Sequence, residues 1–168
     1  MAGINANEGT VLTFEFPIFS TNQTITKLEI KEHLPKCIYL NHISDLNYDS
    51  VYEYYLKDID ESNQIAIRQS YGRIIGDPMI NCPTYFFAKY LSKNSANSKL
   101  YFYESTHKAN QAIIKCDENW MGICHAEDLN FVFGLPVQIP HKYNDIDYKF
   151  SLLIMEMWTN FAKYGYSF

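Results

Sequence analysis

Apolar positions along the chain recur mostly at helical spacing. Leu28, Ile30 and Leu34 alternate with charged residues from Thr26 to His33, which predicts a helix that Pro35 stops. Tyr48 to Leu56 sets Val51, Tyr52 and Tyr55 on one face and predicts a second helix. Asp60 or Ser62 offers an N-cap for a third, marked by Ile65, Ile67 and Ile74 and running to about Ile75, where Gly76 supplies a stop. Pro78 suits the first turn of a fourth, read through Cys82, Phe86, Ala88 and Tyr90 to about Ser92, and Lys93 to Ser98 is a polar turn. The last helix is the longest: Asp145 to Lys163 carries Tyr148, Leu152, Met155 and Phe161 near helical spacing, with charges between.

Strand signals are scarce. Residues 1–24 read as a glycine-punctuated loop with one apolar stretch, Val11 to Phe19. Only Lys99 to Glu104, with Leu100, Tyr101, Phe102 and Tyr103, predicts a strand, and its pattern is that of one buried on both faces inside a mostly parallel sheet. One strand makes no sheet. The pattern therefore predicts an α/β fold, helix-rich with few strands, whose missing strands come from elsewhere. No repeat, low-complexity tract or linker divides residues 1–168, which read as part of one domain.

Composition narrows the function classes. At 168 residues and 47% hydrophobic content the chain has a core to bury and is not disordered. Fourteen tyrosines against two tryptophans predict many half-buried, hydrogen-bonded rings. A formal charge of -5 without a basic cluster excludes nucleic acid as an expected partner. No apolar run approaches the roughly 18 residues of a membrane span, and the N-terminus has no signal-peptide pattern. Cys37, Cys82, Cys116 and Cys124 follow no C-x-x-C spacing, which argues against structural zinc. His33, Cys37 and His42 are the remaining metal candidates, but Pro35 spoils a shared helix face and a closed zinc site needs four ligands. No metal or cofactor is expected. Asn22-Gln23-Thr24 is a glycosylation sequon in a polar stretch.

Candidate chemistry concentrates in two segments. W-M-G-I-C-H-A-E-D-L-N-F-V-F-G-L-P, Trp120 to Pro136, sets His125 on a turn between a tryptophan-glycine approach and an acidic, aromatic run. N-A-N-E-G-T, Asn5 to Thr10, sets Glu8 before a glycine that permits a tight turn. These segments resemble the histidine and acid segments of the type-B carboxylesterases and cholinesterases, which are α/β-hydrolase serine esterases. Gly76-Asp77 through Cys82-Pro83, Leu100 to Tyr103, and the W-T-N-F-A-K-Y-G run from Trp158 to Gly165 extend the likeness. Residues 25–71 are only loosely similar.

The resemblance implies the C-terminal part of such an esterase, cut off upstream of its acid. Glu8 would be the acid of a Ser-Glu-His triad and His125 its general base, in the order Ser, acid, His. The nucleophile would stand in G-x-S-x-G, which none of the seven glycines builds. The isolated chain is therefore expected to be inactive. The complete protein would hydrolyse a small carboxylic ester. Val11, Leu12 and Trp120 would contribute to its substrate pocket. Cholinesterases carry aromatic residues shortly after the acid, where this chain has Val11 and Leu12, so an uncharged ester is expected rather than a choline ester. The family is mostly secreted, and the cysteine matching Cys82 bridges to one near the far C-terminus. Ala126 stands where the family has glycine and is tolerated only away from positive φ. Cys124 is expected to be a small buried residue, and His107 and His141 surface loop residues. Two alternatives are a non-catalytic adhesion or binding domain of the same fold and a truncated gene product; retention of both Glu8 and His125 argues against the first.

Overall fold

The computed structural model describes residues 1–15, 24–40, 42–95, 99–111, 113–114 and 116–166. The sequon at Asn22 lies outside the described residues, as do residues 16–19 at the end of the apolar stretch that begins at Val11. Strand β1 (Ala2–Asn5) pairs in parallel with β2 (Phe102–Ser105), in the register Ala2 to Phe102 and Asn5 to Ser105. The predicted strand thus has a partner after all, in the segment read as loop. Four residues containing a glycine and an asparagine carry too little β-propensity to announce it. The expectation of burial on both faces is corrected as well: Phe102 is 40% exposed, and exposure alternates along β2.

Helices form most of the remaining structure. Helix α1 (Lys27–His33) starts at a capping box, with Thr26 accepting from the Glu29 amide while Glu29 accepts from the Thr26 amide. Helix α2 spans Tyr48–Tyr55, and α3 spans Gln64–Gly76. The N-cap of α3 is Asn63, not Asp60 or Ser62; Asp60 instead accepts from the amide and hydroxyl of Ser62 in the preceding turn. The apolar faces of α1, α2 and α3 meet in the larger core, around Ile30, Leu34, Leu56, Ile67, Tyr71 and Ile75.

Gly76 does not stop α3. Its φ is -67°, and the chain continues through a π-helical turn, Asp77–Asn81, into α4 (Cys82–Asn94). Pro78 lies within that turn, where its missing N–H and fixed ring favour a widened turn over a regular one. The glycine has a different purpose. A Cβ on Gly76 would lie 2.6 Å from the Gly9 nitrogen, and a Cβ on Gly72 would lie 3.1 Å from the Thr10 Cα. Two glycines one turn apart make the groove in α3 into which the loop after β1 settles.

Helices α5 (Leu129–Val132) and α6 (Leu135–Gln138) are single turns joined by Gly134 at φ +69°. Both pack on α7 (Asp145–Tyr164), which Asn144 caps by accepting from the Asp147 amide and Gly165 ends at φ +75°. The predicted span of this helix is right to within a residue. Phe131 and Phe150 meet edge to face at 4.8 Å, and the buried Ser151 hydroxyl donates to the Phe131 carbonyl. Among the described residues no helix is long and apolar enough to cross a membrane.

Candidate active site

The end of β1 delivers the acid. Immediately after the strand the chain turns, and the Asn5 amide donates to Glu8 Oε1 at 2.6 Å. The turn holds because Asn7 accepts from the Thr10 amide and hydroxyl. Glu8 is only 4% exposed, so its carboxylate requires partners. The second is His125, whose Nδ1 lies 2.6 Å from Glu8 Oε2. The imidazole itself is half exposed, which leaves its other nitrogen open to a third group. A buried acid that grips one nitrogen of a half-exposed histidine fixes its tautomer and orientation.

The two loops are pinned together by more than this contact. The Asn7 amide donates to the Ile123 carbonyl, and the Ile123 amide donates to Asn7 Oδ1. Gly122, at φ +67°, leaves room for the Asn7 side chain, which a Cβ would strike. The Thr10 hydroxyl lies 2.8 Å from the Met121 carbonyl. On the far side of His125, Asp128 accepts from the Asn5 side-chain amide and from the Tyr103 hydroxyl, both at 3.1 Å. Burial pushes the Tyr103 hydroxyl well above the ordinary tyrosine range, and the carboxylate of Asp128 pushes it the same way. Asn5 at the end of β1 and Tyr103 within β2 thereby hold the loop that carries the histidine.

A carboxylesterase family model matches residues 1–167. The chain belongs to the carboxylesterase family. Its similarity to curated relatives runs along nearly its whole length. It is 34% identical to a cholinesterase of Mus musculus over 169 residues, covering 99% of this chain and 27% of that protein. It is 30% identical to acetylcholinesterase-1 of Trittame loki, covering 96% of this chain and 29% of that one, and 28% identical to an acetylcholinesterase of Electrophorus electricus. The chain thus spans less than a third of the length of these relatives. Helix-rich and with a parallel pair of strands, it is a C-terminal part of the α/β-hydrolase fold of the carboxylesterases.

Other predicted residues of this carboxylesterase chain fall in varied places. Val11 begins a 3-10 helix right after the acid turn and packs on a small cluster of Cys116, Trp120, Met121 and Cys124. Leu12 packs against the α1–α3 core instead. Trp120 is buried, with the Arg68 guanidinium 5.7 Å from its ring centroid and Phe14 tilted against it at 6.3 Å. Cys82 is exposed with a free thiol. Cys37 is buried beside Tyr71, and among the described residues no group of three histidine, cysteine or acidic side chains is placed to hold a metal ion. An apolar cavity of about 260 Å³ between β2 and α7 touches Asp128 and His107 but neither Glu8 nor His125.

Four features add to or depart from the expectations drawn from the sequence. Cys124 is buried as expected, but it is bonded to Cys116, eight residues back. Ala126 adopts φ +65°, the left-handed conformation that its family's glycine would take freely. His107 is not a plain surface residue: its Nε2 lies 2.8 Å from Oδ1 of the fully buried Asp147, and its ring packs on Phe150. The Asn110 amide donates to the other oxygen of Asp147. The signal for this pair was long-range, since the partner lies on α7. Glu127, also buried, accepts from the Ala109 amide, and burial raises its carboxyl above the ordinary range.

Proposed function

We propose that Glu8 and His125 are the acid and general base of a Ser-Glu-His triad that hydrolyses a small, uncharged carboxylic ester. The 2.6 Å contact between a buried carboxylate and Nδ1 of a half-exposed imidazole carries this reading. In the cycle, His125 Nε2 takes the proton of the serine as its Oγ attacks the ester carbonyl. The imidazolium so formed, stabilised by Glu8, returns that proton to the leaving alcohol. Water then attacks the acyl-enzyme, with His125 again as base. Glu8 stays ionised throughout. No serine of this chain stands in a nucleophile elbow, so the 168 residues alone do not turn over esters.

Val11, Leu12 and Trp120 are proposed as pocket residues. The aliphatic pair after the acid supports an uncharged substrate, because a quaternary ammonium is held best by an aromatic face. The Cys116–Cys124 disulfide suits an oxidising compartment, and we place the protein outside the cell, where Asn22 is a glycan acceptor.

The test is ester hydrolysis and fluorophosphonate labelling of the natural protein that carries these residues. Phenyl acetate turnover is expected to fall about 10³-fold or more in His125→Gln and substantially in Glu8→Gln. Undiminished turnover in either variant overturns the proposal, and absence of any fluorophosphonate adduct favours the binding-domain alternative. Acetylthiocholine turned over faster than phenyl acetate overturns the uncharged-substrate assignment alone.

A further inference from the structure

The disulfide between Cys116 and Cys124 has no part in the cycle just derived, yet it ends on the residue before His125. Its surroundings tie it to both halves of the site. Cys124 is fully buried, and its sulfur lies 3.4 Å from the hydroxyl of Thr10, two residues after Glu8. That hydroxyl also reaches the Met121 carbonyl. The sulfur of Cys116 lies 3.4 Å from the carbonyl of Gly122. The bridge therefore closes the Trp120–Ile123 approach on itself and presses it against the acid loop.

The other flank of His125 is in the opposite condition. Ala126 is held at φ +65°, a conformation that an L-residue with a Cβ tends to leave. His125 thus sits between a covalently anchored neighbour and a strained one. Its contact with Glu8 depends on the two loops staying in place to within a few tenths of an ångström. The disulfide itself lies within the histidine loop; hydrogen bonds of Asn5, of the Asn7 backbone and side chain and of Thr10 join that loop to the acid loop, along with packing of Val11.

We propose that the Cys116–Cys124 disulfide is a positioning element for His125, so that the Glu8–His125 contact depends on the oxidised state of the two sulfurs. The proposal rests on reading His125 as the base, but its test does not. Reduction by a phosphine consumes one phosphine and one water, yielding two thiols and a phosphine oxide. The freed thiols have acceptors at hand, the carbonyls of Gly122 for Cys116 and Met121 for Cys124. The reduced loop is therefore a loosened state rather than an unfolded one.

The experiment is nitrogen-15 NMR of the 168-residue chain, oxidised, phosphine-reduced, and as the Cys116→Ser/Cys124→Ser variant. In the oxidised chain the short bond to Glu8 gives His125 a slowly exchanging, far-downfield Nδ1 proton, assigned by its absence in His125→Gln. On reduction, and in the serine pair, this resonance is expected to broaden beyond detection. The signals of His107, on the α7 side, are expected to stay put. A downfield proton unchanged by both perturbations overturns the proposal. If the serine pair fails to fold, the phosphine arm decides alone; if reduction itself unfolds the chain, so that the His107 signals collapse too, the bridge is a general stabiliser and the proposal is also overturned. Loss of the resonance together with ester turnover indifferent to His125→Gln would sink the catalytic reading while leaving the positioning intact.

Discussion

Replacing Gly9 by alanine tests how closely the acid loop is fitted to α3. The new Cβ would strike the Gly72 carbonyl oxygen and lie 2.5 Å from the Gly76 nitrogen and 2.7 Å from its Cα, against 3.4–4 Å for ordinary contact. The neighbours are backbone atoms of a helix and have no rotamer to change. The loop must therefore retreat by roughly 1.5 Å, at a cost of about 1–3 kcal/mol for overpacking a filled site. In a chain of this size that corresponds to a melting temperature lower by roughly 2–12 °C, measurable by circular dichroism. The displacement also acts on Glu8, the preceding residue. A 2.6 Å bond to His125 stretched by that much is no longer a hydrogen bond, so the downfield His125 proton should vanish as well. Gly76→Ala presses on the same contact from the other side, its Cβ 2.6 Å from the Gly9 nitrogen. The double variant should cost less than the sum of the two, because one retreat serves both. A Gly9→Ala chain that melts within about 1 °C of the parent, with the His125 resonance intact, would refute the argument.

Three further outcomes are expected. Ala126→Gly removes about 1 kcal/mol of left-handed strain and is offset in part by the greater entropy of unfolded glycine, so the chain should melt up to a few degrees higher; a clear loss of stability would contradict the strain assigned to this position. Glu127→Gln should be stabilising at neutral pH. Burial raises the Glu127 carboxyl, so the unfolded chain releases this proton first as pH rises, the folded chain holds more protons in the interval above the ordinary carboxylate value, and stability falls across that interval. The advantage of glutamine in thermal melts should therefore shrink toward about pH 4, and a pH-independent difference would count against burial as the cause. Asp147→Ala strands His107 and the Asn110 amide and should cost about 2–4 kcal/mol in urea unfolding; a cost under about 0.5 kcal/mol would mean the pair is not holding α7.

What the sequence disclosed and what it hid divide along a physical line. Helix α7 was legible because a long amphipathic pattern between Asn144 and Gly165 carries its own start and stop. Glu8 and His125 were legible through the flanking residues, which specify a family, and not through their own identities. The hidden features depend on residues far apart in the chain. Strand β1 exists because β2 lies beside it. Gly76 reads as a helix stop, yet its hydrogen for a side chain serves the approach of Gly9. His107 looks like a loop residue until α7 folds back and brings Asp147 to it. Ala126 was the position flagged on condition of its φ, and the condition failed: the backbone keeps the glycine conformation with an alanine in it.

The parallel pairing of β1 with β2 also sets an order of events during synthesis. Glu8 leaves the ribosome 117 residues before His125. At about 5–20 residues per second that is an interval of roughly 6–23 s. Until Phe102–Ser105 has emerged β1 lacks its pairing with β2, and for the whole interval Glu8 lacks its imidazole, while α1, α2 and α3 assemble from contacts near in sequence. Closing the sheet and forming the dyad are then late, joint steps with a large loop-closure entropy. The edge of β1 that awaits β2 is a surface through which an unfinished chain would associate with others.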